Sequence, residues 1–238
     1  MAKPQTAARP KTTQVGQVPD ASTKAKVSYS GPPCRIQLIG TSLVRNVSEK
    51  IVGLGLGGVT AEETCVPGNS ISGVIRGMKK ENNAKPNPEV THAVLQAGGL
   101  DLQALYTHKT GIAFSRKANF EPPTHKDQIL KWYSRLVSDT RVKYPNARIF
   151  VGEMPKRGLK FGDLQHWVLG FNEDLERLAK EHNCTFIKAS PTNMTMYKPD
   201  GLHFNETGVK HYASCVAQRV TGVDFRSKTP ATQAPASA

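Results

Sequence analysis

The stretch RIQLIGTS, residues 35–42, decides the fold. RIQLIG is a short, largely apolar run that ends on glycine and passes directly into Thr41 and Ser42. A run this short, bounded by a turn residue, reads as a buried strand. Three others repeat the pattern: HAVLQAG at 92–98, ARIFVG at 147–152 and CTFIKA at 184–189, with a weaker one in GVTAEETCV at 58–66. Between them the apolar spacing changes to that of helices. Over 126–143, Ile129, Leu130, Trp132, Tyr133, Leu136 and Val137 fall on one side. Over 164–182 the same holds for Leu164, Trp167, Val168, Phe171, Leu175 and Leu178. A last segment, 206–220, aligns Val209, Tyr212, Val216 and Val220 behind Asn205, a residue suited to capping a helix. Strands that alternate with helices imply an α/β chain: a three-layer αβα sandwich around a central parallel five-stranded sheet. The loops at the carboxyl ends of such strands gather on one edge, where ligands bind.

The ends of the chain read differently. Residues 1–33 are rich in Pro, Ser, Thr, Ala and Lys, and residues 223–238 have the same low complexity, so neither can cover a core. We expect a disordered basic tail at 1–33, one domain at 34–222 and a second disordered tail at 223–238. No apolar signal segment follows Met1 and no window is long enough to span a bilayer, so the expected address is cytoplasmic. Cys34, Cys65, Cys184 and Cys215 show no CxxC spacing, and the expectation is four reduced, mostly buried thiols. The formal net charge is +13, and most of it lies between the tails. The basic residues come in short groups, at 78–80, 115–117 and 155–160, with few aromatics between them. That pattern fits weak, non-specific attraction to nucleic acid rather than sequence-selective reading. One glycine motif is a decoy: GLGLGG at 53–58 follows a helix and leads into a strand, the reverse of a dinucleotide loop.

The residues able to do chemistry sit in the segments just beyond the strands. GTSLVRN comes after the first, PGNS after the second, GGLDLQ after the third and EMPKRG after the fourth, and DGLH lies in the loop after the fifth. All of them therefore fall on the same edge. Asp200 and His203 lie three apart, just before the last helix, and Ser42 lies immediately after the first strand.

These blocks resemble the SGNH, or GDSL-type, hydrolases, with GTS at 40–42, Gly68 after the second strand, GGLD at 98–101 and DGLH at 200–203. The style is similar to the esterase-like animal domains often found beside retroelement-derived sequences. The resemblance implies that fold, with a flavodoxin-like strand order, and a monomer. It also implies a serine esterase in which Ser42 attacks an acyl carbonyl, His203 takes its proton and Asp200 orients the ring. The substrate would be a small-molecule, glycan or lipid ester with a short acyl or acetyl group, and no metal or organic cofactor is required. The oxyanion hole would use the backbone N–H groups of Ser42 and Gly68 and a side-chain amide at position 100.

Position 100 holds Leu, which cannot donate. Losing one such donor costs about 100- to 1000-fold in turnover. Asn69 could replace it, although capping the following helix is the expected role of that residue. Thr41 stands where the family has Asp, a milder change, and Asp101 is expected to order the loop after the third strand. Two functions remain open: an esterase of reduced rate, or a catalytically weak module that binds nucleic acid or another polyanion. The complete Ser42, Asp200 and His203 set favours the first. The segment 106–125 reads as a long connection, and the six other histidines read as structural or solvated.

Overall fold

Five parallel strands form one sheet in the order β2-β1-β3-β4-β5. They are β1 (Cys34–Gly40), β2 (Val59–Cys65), β3 (His92–Gln96), β4 (Arg148–Gly152) and β5 (Thr185–Ile187). The computed structural model describes residues 29–80, 85–112, 120–156, 158 and 162–224. The expected tails thus lie largely outside the described residues, although Tyr29 and Val223 both pack against the core. Among the described residues six α-helices connect and cover the strands: α1 (Val47–Val52), α2 (Ile71–Lys80), α3 (Gly99–Thr110), α4 (Lys126–Lys143), α5 (Leu164–Glu181) and α6 (Glu206–Thr221). Among the described residues no helix is long and apolar enough to cross a membrane.

Because strand side chains alternate, each strand feeds two cores. Ile39, Ala93, Leu95, Ile149 and Val151 face one layer, packed with α2, α3, α4 and α5. Ile36, Leu38, Val94, Phe150 and Ile187 face the other, packed with α1 and α6. Both faces are dry, which explains why the strands read as nearly continuous apolar runs. The glycine-rich segment 53–58 connects α1 to β2, with Gly55 and Gly58 at positive φ, and takes no phosphate-loop position.

Two expectations need correction. Residues 106–110 are not part of a connection but the end of α3, which stops at Gly111 in the left-handed region (φ 72°). The helix escapes a periodicity reading because Asp101 to Tyr106 are buried on every side, so no amphipathic stripe exists. Of the remaining connection, 113–119 lies outside the described residues. The cysteines are also less buried than expected: all four are free, but only Cys34 is buried and the other three are half-buried.

β1 and β3 approach closely at their carboxyl ends, where Gly40 pairs with Gln96 and the Thr41 amide donates to the Gln96 carbonyl at 3.2 Å. A Cβ on Gly40 would collide with that carbonyl oxygen. Gly40→Ala therefore forces the strand ends apart, and urea unfolding is expected to show a loss of about 1–3 kcal/mol with little change in m-value.

Candidate active site

The carboxyl edge of the sheet carries the site. β1 ends at Gly40, and after Thr41 the chain turns into a short 3-10 segment, Ser42–Val44, which buries Leu43 and Val44 and leaves the Ser42 side chain at the edge. From the far end of the chain, α6 is fixed by its cap: the Asn205 side chain accepts from the Gly208 amide at 3.0 Å and donates to the Thr195 carbonyl at 2.7 Å. The hairpin before it is held by the Lys198 amide on the His203 carbonyl at 2.7 Å. Ser42 and His203, 161 residues apart, meet there with Oγ to Nε2 at 2.9 Å.

On the opposite side of the ring, His203 Nδ1 lies 2.6 Å from Asp200 Oδ2. Asp200 Oδ1 accepts from the amides of Leu202 and His203 at 2.9 and 3.0 Å, so the carboxylate is clamped by its own turn. Partial burial opposes its ionisation, but these donors outweigh burial and hold the carboxyl down at about 2. A carboxyl held that low is charged at neutral pH and faces the imidazole ring. Gly201, at φ 63°, makes the turn and receives the Gly158 amide on its carbonyl at 2.9 Å. The loop after β4 is thereby docked on the acid-base loop.

Gly68 lies on an exposed turn at φ 67°, a conformation natural to glycine. Among the described residues neither the Ser42 nor the Gly68 amide donates within the chain, which leaves both N–H groups available to a ligand. Leu100, half-buried in the first turn of α3, adds no donor. Asn69 does not substitute for one, because its side-chain amide donates to the Pro67 carbonyl at 3.2 Å. Nor does it cap α2. Ser70 does, accepting from the Gly73 amide at 3.3 Å, because its hydroxyl is one residue closer to the helix.

Asp101 has a longer reach than the sequence indicates. Fully buried in α3, its carboxylate accepts from the Ile71 amide at 3.1 Å and so ties the first turn of α2 to the first turn of α3. Burial pushes this carboxyl up to about 7, against the opposing effect of the amides of Ile71 and of Asp101 itself.

Sequence reasoning missed Gln96. Buried at the end of β3, its side chain donates to the Glu153 carbonyl at 3.0 Å and accepts from the Tyr212 hydroxyl at 3.1 Å. The signal was a Gln inside an apolar strand, since a buried amide demands partners. Four of the unassigned histidines are tied elsewhere: His92 to Thr91 and Cys34 at the opposite sheet edge, His125 to Thr124, His182 to Ser134 and His211 to Cys215. Among the described residues no group of three His, Cys, Asp or Glu side chains could hold a metal.

Solved structures share this arrangement of strands and helices. A GDSL-family lipolytic protein from Veillonella parvula superposes with a TM-score of 0.60 at 18% identity, covering 80% of this chain and 100% of that one. An acetyl xylan esterase variant from Geobacillus stearothermophilus gives 0.62 at 14% identity, over 82% of this chain and 97% of that one. A lipase/acylhydrolase from Enterococcus faecalis gives 0.58 at 15% identity, over 79% and 96%. No protein-family model matches the sequence, and neither does any curated protein. The chain has the SGNH/GDSL-type hydrolase fold.

Asp101 makes stability depend on pH in a definite direction. A carboxyl raised in the folded state contributes its stability fully below its ordinary value near 4, and loses it as pH rises through about 7. The thermal midpoint is therefore expected to carry a component that falls between about pH 4 and 7. Asp101→Asn keeps an acceptor for the Ile71 amide and should flatten that component, which thermal scans of both proteins across the pH range will read.

Proposed function

We propose that this chain is a serine ester hydrolase that cleaves short acyl esters, acetyl esters foremost, at a reduced rate. The observation that carries the reading is the unbroken line from Ser42 Oγ to His203 Nε2 at 2.9 Å and from His203 Nδ1 to Asp200 Oδ2 at 2.6 Å. A binding module has no physical need to keep a hydroxyl, an imidazole and a carboxylate in that order. Proteins of the same fold that are lipases and acetyl xylan esterases support the reaction class.

In this reading Ser42 Oγ attacks the ester carbonyl as its proton passes to His203 Nε2. The carbonyl oxygen becomes an oxyanion, met by the free amides of Ser42 and Gly68. The imidazolium is stabilised by Asp200, and its proton goes to the leaving alkoxide as the tetrahedral intermediate collapses to an acyl-serine and the alcohol. Water then attacks the acyl carbonyl as His203 takes its proton, and His203 returns that proton to Ser42 Oγ as the acyl–oxygen bond breaks and the acid departs. Each step in this reading is carried by the chain's own side chains and amides. With Leu100 in place of a donor, the oxyanion has two hydrogen bonds, and the rate suffers accordingly.

Hydrolysis of aryl acetates and longer-chain aryl esters tests the proposal. Ser42→Ala is expected to lower Ser42-dependent turnover by at least about 1000-fold. Leu100→Asn should raise kcat by about 10- to 100-fold, short of the full effect of a donor whose surroundings hold it in place. Turnover that is indifferent to Ser42 would refute the reading. A thermal midpoint unchanged in Leu100→Asn, together with no gain in kcat, would show that the missing amide does not limit the rate.

A further inference from the structure

The turn that carries Ser42 is weakly held by its own bonds. Between Gly40 and α1 the Val44 amide meets the Thr41 carbonyl at 3.2 Å and the Arg45 amide meets the Ser42 carbonyl at 3.4 Å, both longer than a well-formed bond. Asn46, which follows, stands in the left-handed region at φ 64°, and its side chain does not cap α1. A residue other than glycine persists there when its surroundings over-determine the backbone. We propose that Glu63 supplies that constraint and positions Ser42 for attack, an inference that rests on the hydrolase reading above.

Glu63 lies on β2, the edge strand, paired with Leu38 of β1. Its carboxylate collects three donors from the start of α1. Oε1 accepts from the Asn46 amide at 2.9 Å, and Oε2 accepts from the Ser48 hydroxyl at 2.9 Å and the Ser48 amide at 3.3 Å. A carboxylate at the first turn of a helix satisfies amides that the helix itself leaves open. This one comes from the neighbouring strand and not from the cap position, so it fixes where α1 begins relative to β2. The acid within the first turn of α1, Glu49, pairs with Lys50 instead.

The nucleophile turn is thereby pinned at both ends. Thr41 is tied to β3 through the Gln96 carbonyl, Asn46 is tied to β2 through Glu63, and Ser42 lies between them.

A second consequence runs through α1 itself. That helix packs against α6, with Val47 and Ile51 in the same core layer as Val216 and Val220, and α6 is the helix that follows His203. Releasing the start of α1 therefore acts on Ser42 directly and on the histidine loop through α6. The 2.9 Å contact between Ser42 Oγ and His203 Nε2 tolerates little of this, because a displacement of about 1 Å takes the hydroxyl out of hydrogen-bond reach. Glu63 touches neither the nucleophile nor the imidazole, so its role is that of a positioning residue.

The test compares Glu63→Ala, Glu63→Gln and Ile129→Val, the last a change in the core layer that α1 and α6 do not enter. In Glu63→Ala, hydrolysis of aryl acetates is expected to lose about 10- to 100-fold in kcat, with KM within about twofold of wild type. Glu63→Gln keeps one acceptor oxygen and should lose only about 3- to 10-fold. Ile129→Val should lower the thermal midpoint and leave kcat unchanged. Crystal structures of wild type and Glu63→Ala supply a reading that needs no turnover: Asn46 is expected to leave the left-handed region, and Ser42 Oγ to move beyond about 3.5 Å from His203 Nε2. A kcat in Glu63→Ala within about twofold of wild type, a loss of kcat that Ile129→Val reproduces, or a hydrogen bond from Ser42 to His203 that survives in Glu63→Ala would each overturn the proposal. Absence of Ser42-dependent turnover in wild type would refute the hydrolase reading instead, and the paired crystal structures would still decide whether Glu63 sets the place of Ser42.

Discussion

The side chain of Gln96 is the constraint from which the carboxyl edge is built. A buried amide left unpaired costs roughly 1–3 kcal/mol, so its two partners are obligatory. The donor goes to the backbone after β4 and the acceptor to Tyr212 on α6, while the residue's own carbonyl receives the amide of Thr41. One residue thus joins the ends of three strands to the helix beyond His203. Gly40 and Gly152 are its complements, because a Cβ at either would run into Gln96. The meeting of Ser42 with His203 depends on this joint. Ser42 lies two residues beyond Gly40, and the histidine loop is secured to the helix that Tyr212 anchors.

That dependence explains what the sequence could and could not convey. Strands buried on both faces announce themselves as apolar runs, and helices with one wet face as periodic stripes, so β1, β4, α4, α5 and α6 were legible nearly to the residue. Helix α3 was not, because a helix buried all round has no stripe to read. The pairing of Asp200 with His203 was implied by the resemblance of DGLH to the family's last block, and its local basis is a turn that brings the aspartate back to the following amides. Their distance from Ser42 is a property of the sheet, legible only through strand order. The contact of Asp101 with Ile71, thirty residues away, and the choice of Ser70 over Asn69 as cap depend on where α2 begins to within one residue. Sequence pattern does not resolve helix boundaries that finely.

Two carboxyl groups at this edge are displaced in opposite directions, and the contrast bears on the proposed chemistry. Asp200 is surrounded by donors on a half-buried turn and lies at about 2, so it faces His203 as a full charge. Asp101 has fewer donors and no access to water, and it is raised to about 7. It holds α2 three residues after Gly68, whose amide is one of the two donors in the oxyanion hole we propose. A full negative charge there would oppose the negative charge that develops on a carbonyl oxygen, and a buried site screens it poorly. A carboxyl raised to about 7 carries that charge only in part at neutral pH, and it keeps the hydrogen-bonded tie to Ile71 at less electrostatic cost to the oxyanion we propose. Burial of Asp101 therefore serves both ends. It fixes the start of α2, three residues beyond Gly68, and it lowers the charge carried there, whereas the half-buried turn at Asp200 secures the opposite condition next to the imidazole.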